Sequence, residues 1–203
     1  MLFRSLEPGT PKWDEMVEFR RQKDIIVDLL QHLPITITKH PEMECDDTIA
    51  TLVDIHKDDE CVVVSTDTDF IQLLSRPNAK LFNPVKKSYT EGVNFDYVAW
   101  KALRGDKTDN VPPVGGMTDK AAEKLLANPE KLEKFLAEGT NLDDFNRNLH
   151  LIRLKIASPE ELWMKSPTTD TSALRRRLAD LKFFSMVNQA AWDKYVEVFE
   201  SIY

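Results

Sequence analysis

Between residues 13 and 33 apolar positions recur at helical spacing, with Ile26, Leu29, Leu30 and Leu33 on one stripe and Pro34 as a stop, so the pattern predicts a first helix. Ile35-Thr36-Ile37-Thr38 reads as a short strand. Residues 46–57 return to helical spacing, with Ile49, Leu52, Val53 and His56 on one face. The run Cys61-Val62-Val63-Val64 then has the continuous apolar character of a buried strand, and strand, helix, strand implies a parallel pair. Phe70, Ile71, Leu73 and Leu74 predict a further short helix, Lys80 to Thr90 a hairpin turning near Val85-Lys86-Lys87, and residues 95–104 another helix. Past Asp109 the pattern is mainly helical. The fold class expected is therefore α/β, a three-layer core with a mostly parallel central sheet followed by a helical C-terminal region. The change of character places a boundary near residue 110, dividing a core at 1–110 from a helical region at 111–203; Ser158-Pro159 is a weaker linker candidate.

The composition fits a folded domain of this kind, since 203 residues with 42% hydrophobic and 30% charged content suffice for one core plus an appendage. No apolar run approaches the roughly 20 residues that span a bilayer, and the N-terminal segment has no signal-peptide core, so a cytoplasmic protein without membrane contact is expected. Cys45 and Cys61 suit reduced thiols, and no Cys/His set with zinc spacing is present.

Acidic residues change this picture most. They gather in three tight clusters, Glu44-Cys45-Asp46-Asp47, Asp67-Thr68-Asp69 and Asp106-Lys107-Thr108-Asp109, each where a hydrophobic segment meets a loop or a helix start. One aspartate at such a junction is more often a helix cap than a ligand. Three clusters repel one another unless a cation compensates them, and oxygen ligands in this density suit magnesium. Asp67 and Asp69 follow the apolar strand directly, at the sheet edge where α/β folds bind ligands. Two magnesium ions, with manganese as a substitute, are the common machinery for phosphodiester cleavage. Such ions would offset the net charge of −7, which otherwise counts against a nucleic-acid partner. His32, His40, His56 and His150 have no matching partners and read as structural or solvent-facing.

The order and spacing of Glu44-Cys45-Asp46-Asp47-x-Ile49-Ala50, Val64-Ser65-x-Asp67-x-Asp69-Phe70-x-Gln72-Leu73 and Gly105-Asp106-x-x-Asp109-Asn110-Val111-Pro112 resemble the 5′-nuclease superfamily, which comprises flap endonucleases and the 5′-nuclease domains of bacterial DNA polymerases. Pro77-Asn78-x-Lys80, Pro84-x-Lys86-Lys87 and Leu103-Arg104-Gly105-Asp106-Lys107 give it the flavour of the ribonuclease H of T-even-like bacteriophages. The resemblance covers roughly residues 15 to 155. It implies that Glu44, Asp46 and Asp67 are catalytic ligands of the metal nearer the scissile phosphate, with Asp47 in support, and that Asp69, Asp106 and Asp109 serve a second ion. It also implies a structure-dependent 5′ to 3′ nuclease acting on flaps or RNA primers in DNA or RNA–DNA duplexes during replication.

The segment from Val111 to Leu126 is similar to the family's helix-hairpin-helix element, which implies DNA contact by Gly115, Gly116, Thr118, Lys120 and Lys124. Pro113 and Met117 depart from that pattern. Arg175-Arg176-Arg177 reads as a solvated face, and Trp192, Tyr195, Val196 and Phe199 as core at helical spacing. Family members also begin with a strand ending in a metal-binding aspartate and a basic arch. By this resemblance the sequence starts inside the base of that arch, with Arg20, Arg21 and Lys23 either its remnant or the polar face of the first helix, so the expectation is the C-terminal part of a split or truncated enzyme, with a separate N-terminal nuclease fragment and replication proteins as partners. The alternative is a junction-binding module without catalysis.

Overall fold

The computed structural model describes residues 7–166 and 168–200. In chain order its elements are α1 (Pro11–Leu30), β1 (Ile37–Lys39), α2 (Cys45–Ile55), β2 (Cys61–Val64), a 3-10 helix (Thr68–Ser75), β3 (Ala79–Asn83), β4 (Ser88–Thr90), α3 (Tyr97–Arg104), α4 (Asp119–Leu126), α5 (Pro129–Leu136), α6 (Asn141–Ile152), β5 (Trp163–Lys165), α7 (Thr171–Asp180), α8 (Phe184–Val187) and α9 (Gln189–Glu200). They form two compact units, His40–Leu162 and a second made of the segments up to Lys39 and from Trp163 onward.

In the His40–Leu162 unit β2 pairs parallel with β3, and β3 pairs antiparallel with β4. Ala50 and Val53 of α2, Val63 of β2, Phe70 and Leu73 of the 3-10 helix, and Ala79 and Leu81 of β3 close one apolar cluster. The result is an α/β fold around a small mixed sheet. The expected parallel partner of β2 was the strand before α2, and here the structure corrects the sequence reading. β1 instead pairs antiparallel with β5 in the other unit, and β3 is the parallel neighbour of β2. The apolar run of β2 does not reflect burial on both faces. Val63 is buried whereas Val62 and Val64 are exposed, as befits an edge strand paired on one side among the described residues.

A second cluster of the same unit joins α3 to α6 through Ala102, Val111 and Ile152, with Val98, Phe145 and Leu149 packed against it. Asn148 of α6, fully buried, donates from Nδ2 to the carbonyls of Ala102 (2.9 Å) and Pro112 (2.8 Å). Elements on either side of residue 110 thus share a core, and the change to helical character there falls inside one compact unit. The unit ends at Leu162, a few residues past Ser158-Pro159.

The other unit packs Leu29 of α1 and Leu33 just beyond it with Leu174 and Leu178 of α7 and Trp192, Tyr195 and Val196 of α9. Trp192 and Tyr195 stack with ring centroids 5.1 Å apart, so these aromatics are core. Arg175 donates to the Val187 carbonyl and Arg177 pairs with Asp28 at 2.6 Å, while Arg176 is exposed. Among the described residues no helix is long and apolar enough to cross a membrane.

Candidate metal centre

All three acidic segments lie in the His40–Leu162 unit, at the start of α2, after β2 and after α3. Glu44 occupies the cap position of α2 without capping it through its side chain, which leaves the exposed carboxylate for other partners. Asp46 lies in the first turn and is half-buried. Burial, followed by the charges of Asp67, Asp69, Glu44 and Asp47, pushes its carboxyl above the ordinary value of 3.8. Four carboxylates from two segments therefore act on one carboxyl group.

Asp47 has a different employment. Its Oδ1 accepts the backbone N–H of Lys155 at 2.8 Å, fastening the segment after α6 to the start of α2. Asp67 caps the 3-10 helix, its Oδ1 accepting the N–H of Asp69 at 2.9 Å, yet it remains exposed. The capping explanation thus holds for Asp67 in part, and one of its oxygens stays available.

The third segment depends on Gly105, which ends α3 at φ +74°. A Cβ there would lie 2.5 Å from the Val111 carbonyl oxygen and 2.6 Å from the Pro113 nitrogen, so only glycine fits. Beyond it the backbones of Asp106 and Val111 exchange hydrogen bonds of 2.8 and 2.7 Å, closing a loop that presents Asp106 and Asp109. Asp106 Oδ1 accepts the Thr108 N–H at 2.8 Å.

Among the described residues, Asp69, Asp106 and Asp109 bring ligand atoms within 4.8 Å of one another. Glu44, Asp46 and Asp67 approach one another less closely, and their mutual charge is felt through Asp46. A pure carboxylate set of this span fits a hard divalent cation.

Sequence reasoning missed Lys101. This residue of α3 is 1% exposed, and its ammonium pairs with Asp69 and, at 2.6 Å, with Asp106. Burial opposes its charge, but the hydrogen bonds it donates to the two carboxylates prevail and the ammonium is held protonated more firmly than usual. The carboxylates respond in opposite directions. Burial lifts Asp69 despite Lys101, while at Asp106 burial is outweighed by Lys101 and the amides of Thr108 and Asp109, so that carboxyl is lowered. Lys101 follows the buried Tyr97 by four residues, on the inward face of α3. A lysine on the apolar stripe of a helix running into Gly-Asp was the available signal.

The candidate phosphate-binding residues form no part of this cluster. Gly115 and Gly116 lie in a turn at φ +54° and +72°. A Cβ at Gly115 would meet the Phe135 ring at 3.1 Å, whereas Gly116 faces open space. Thr118 caps α4 through Oγ1, and Lys120 and Lys124 are exposed on that helix. His40 is structural, its Nδ1 accepting the N–H groups of Glu42 and Met43, while His56 and His150 are exposed.

Residues 14–101 match the family model of the 5′-3′ exonuclease N-terminal resolvase-like domain. The thermostable DNA polymerase I of Thermus filiformis is 29% identical over 197 residues, covering 85% of this chain and 24% of that protein. A 5′-3′ exonuclease of Mycobacterium tuberculosis is 32% identical over 149 residues, covering 64% of this chain and 47% of that protein. The crystal structure of the T5 D15 protein, co-crystallised with metal ions, aligns with 99% of this chain and 75% of its own, at a TM-score of 0.53 and 19% identity, a likeness of fold. These likenesses support a relationship of the chain to the 5′-nuclease superfamily. It spans about a quarter of the length of the Thermus polymerase.

Proposed function

We propose that the chain is the metal-binding part of a structure-dependent 5′ to 3′ nuclease that removes flaps or RNA primers from duplexes. The observation that carries this reading is the convergence of Asp69 with Asp106 and Asp109, from two separate segments, to within 4.8 Å of one another, with Asp69 also among the four carboxylates that perturb Asp46. Carboxylates assembled at this density lower stability unless a cation or a proton compensates them.

In this reading Glu44, Asp46 and Asp67 hold one magnesium ion near the scissile phosphate, and Asp69, Asp106 and Asp109 hold a second, with manganese able to replace either. When bound, such ions supply a water nucleophile near neutral pH and stabilise charge on the phosphate. The chain's own residues position and exclude. Asp67 keeps its geometry through the Asp69 amide, Asp106 through the Thr108 amide, and Asp47, in support of the first ion, also secures the Lys155 segment through one of its oxygens. Gly116, Thr118 and Lys120 lie at or near the start of α4 and Lys124 one turn further along, where backbone amides and ammonium groups can receive duplex phosphates, and Gly115 shapes the turn before them.

The test is a 5′-flap duplex labelled at either end and incubated with the chain and magnesium. Cleavage near the junction, stopped by chelation and by Asp67→Asn, is the expected result. Tight binding of the junction without cleavage in magnesium or manganese would overturn the catalytic reading in favour of a binding module.

A further inference from the structure

Lys101 lies among the carboxylates that would hold the second ion. It is the largest of the fully buried side chains, and its ammonium bonds to two of the three carboxylates whose oxygens converge. An ammonium withdrawn from water persists only where anions compensate it, and here Asp69 and Asp106 do so. Asp69, Asp106 and Asp109 carry three negative charges when ionised and Lys101 carries one positive charge. The group as it stands therefore retains a deficit that one divalent ion would neutralise. Removing the ammonium would leave three carboxylates within 4.8 Å, which calls for a more strongly held ion.

We propose that Lys101 is a resident cation of this cluster and determines how many divalent ions the chain retains, keeping the Asp69–Asp106–Asp109 position weak and exchangeable. The inference rests on the metal-centre reading above. An ion approaching both Asp69 and Asp106 must move the ammonium from the oxygens it holds and meets like-charge repulsion from a group that burial prevents from leaving freely. The ion at the Glu44, Asp46 and Asp67 position meets no such competitor, because Lys101 bonds to neither Asp46 nor Asp67. The two positions then differ in affinity for a reason carried by a single side chain.

The variants Lys101→Met, close in shape and uncharged, and Lys101→Gln, which retains a hydrogen-bond donor, test this. Manganese binding is counted from the loss of the free-ion paramagnetic resonance signal, with melting temperatures followed alongside. The wild type is expected to hold one ion firmly, and each variant a second, at least tenfold tighter than any second ion in the wild type. Without metal both variants should melt earlier than the wild type, and manganese should restore them by a larger shift. Adding Asp106→Asn to Lys101→Gln should remove the gained ion. Equal stoichiometry and affinity in wild type and variants would overturn the proposal while leaving the metal centre standing. So would failure of both variants to fold in manganese, since an ion able to replace the ammonium restores the charge balance. Absence of manganese binding in every protein would instead overturn the metal-centre reading itself.

Discussion

Asp47 and Lys155 lie 108 positions apart and meet at 2.8 Å, carboxylate oxygen to backbone N–H. Two further bonds run alongside: Thr51 Oγ1 accepts the Ala157 N–H at 3.0 Å, and Gln72 Oε1 accepts the Leu154 N–H at 3.0 Å. Residues 154–157 are thereby strapped across the start of α2 and the 3-10 helix, the elements that carry the first two acidic segments. A hydrogen bond to a charged, half-buried acceptor contributes about 1–2 kcal/mol. Asp47→Ala is expected to lower the unfolding free energy by about that amount in urea titrations, with Asp47→Asn costing less. A loss of metal binding with no change in stability would make Asp47 a ligand instead.

Asn148 spans α6, the end of α3 and the loop leading to α4 by serving two carbonyls from one buried amide. Asn148→Ala leaves both acceptors without a donor and should cost about 2–3 kcal/mol. Asn148→Asp points a carboxylate at two carbonyl oxygens and should cost about 3–5 kcal/mol, close to the whole stability of many domains. Chemical denaturation of the two variants checks the order, and Asp less harmful than Ala would contradict it.

The pH dependence of the metal-free protein follows from Asp46. Its carboxyl is raised above 3.8 by burial and by Asp67, Asp69, Glu44 and Asp47, so folding favours the protonated form. The stability linked to this proton is fully present below the unfolded value and is lost as pH rises through the higher folded value. Denaturation in chelator from about pH 4 to 7 should show wild type falling behind Asp46→Asn as pH increases. Parallel curves would mean that the acidic segments do not burden the folded state.

Lys120 and Lys124 stand one turn apart and exposed on α4, behind a turn in which Gly116 leaves room for close approach. Changing both to Glu should weaken duplex binding and reduce the slope of log affinity against log salt by about one unit for each phosphate the protein no longer neutralises. Unchanged affinity and slope would assign the pair to a solvated face.

The acidic segments were legible because their chemistry is local. Glu44, Asp46, Asp67, Asp69, Asp106 and Asp109 sit at junctions that helical and strand periodicity locate within a few residues, and the hairpin from β3 to β4 announces itself through its turn. Strand partnership was not local. Ile37–Lys39 is short and polar enough to pair with either sheet, and its partner Trp163–Lys165 lies more than a hundred residues away in a region whose pattern reads as mainly helical. The apolar run of β2 misled in another way, since valine suits an exposed edge face as well as a buried one. Lys101 was overlooked because lysine is expected in water, although its place on the apolar stripe of α3 was a signal. Only the convergence of Asp69 and Asp106 on its ammonium gives it a reason to be buried.

Calorimetric titration of manganese into the wild-type protein and Asp67→Asn tests the central claim, that these carboxylates form a divalent-cation centre, most directly. Asp67 is exposed and its cap to the Asp69 amide survives in asparagine, so the variant keeps the fold while losing a charged ligand. The account predicts saturable binding and a raised melting temperature in the wild type, both largely lost in Asp67→Asn. No heat and no thermal shift in the wild type at millimolar metal, or identical binding by the two proteins, would contradict it.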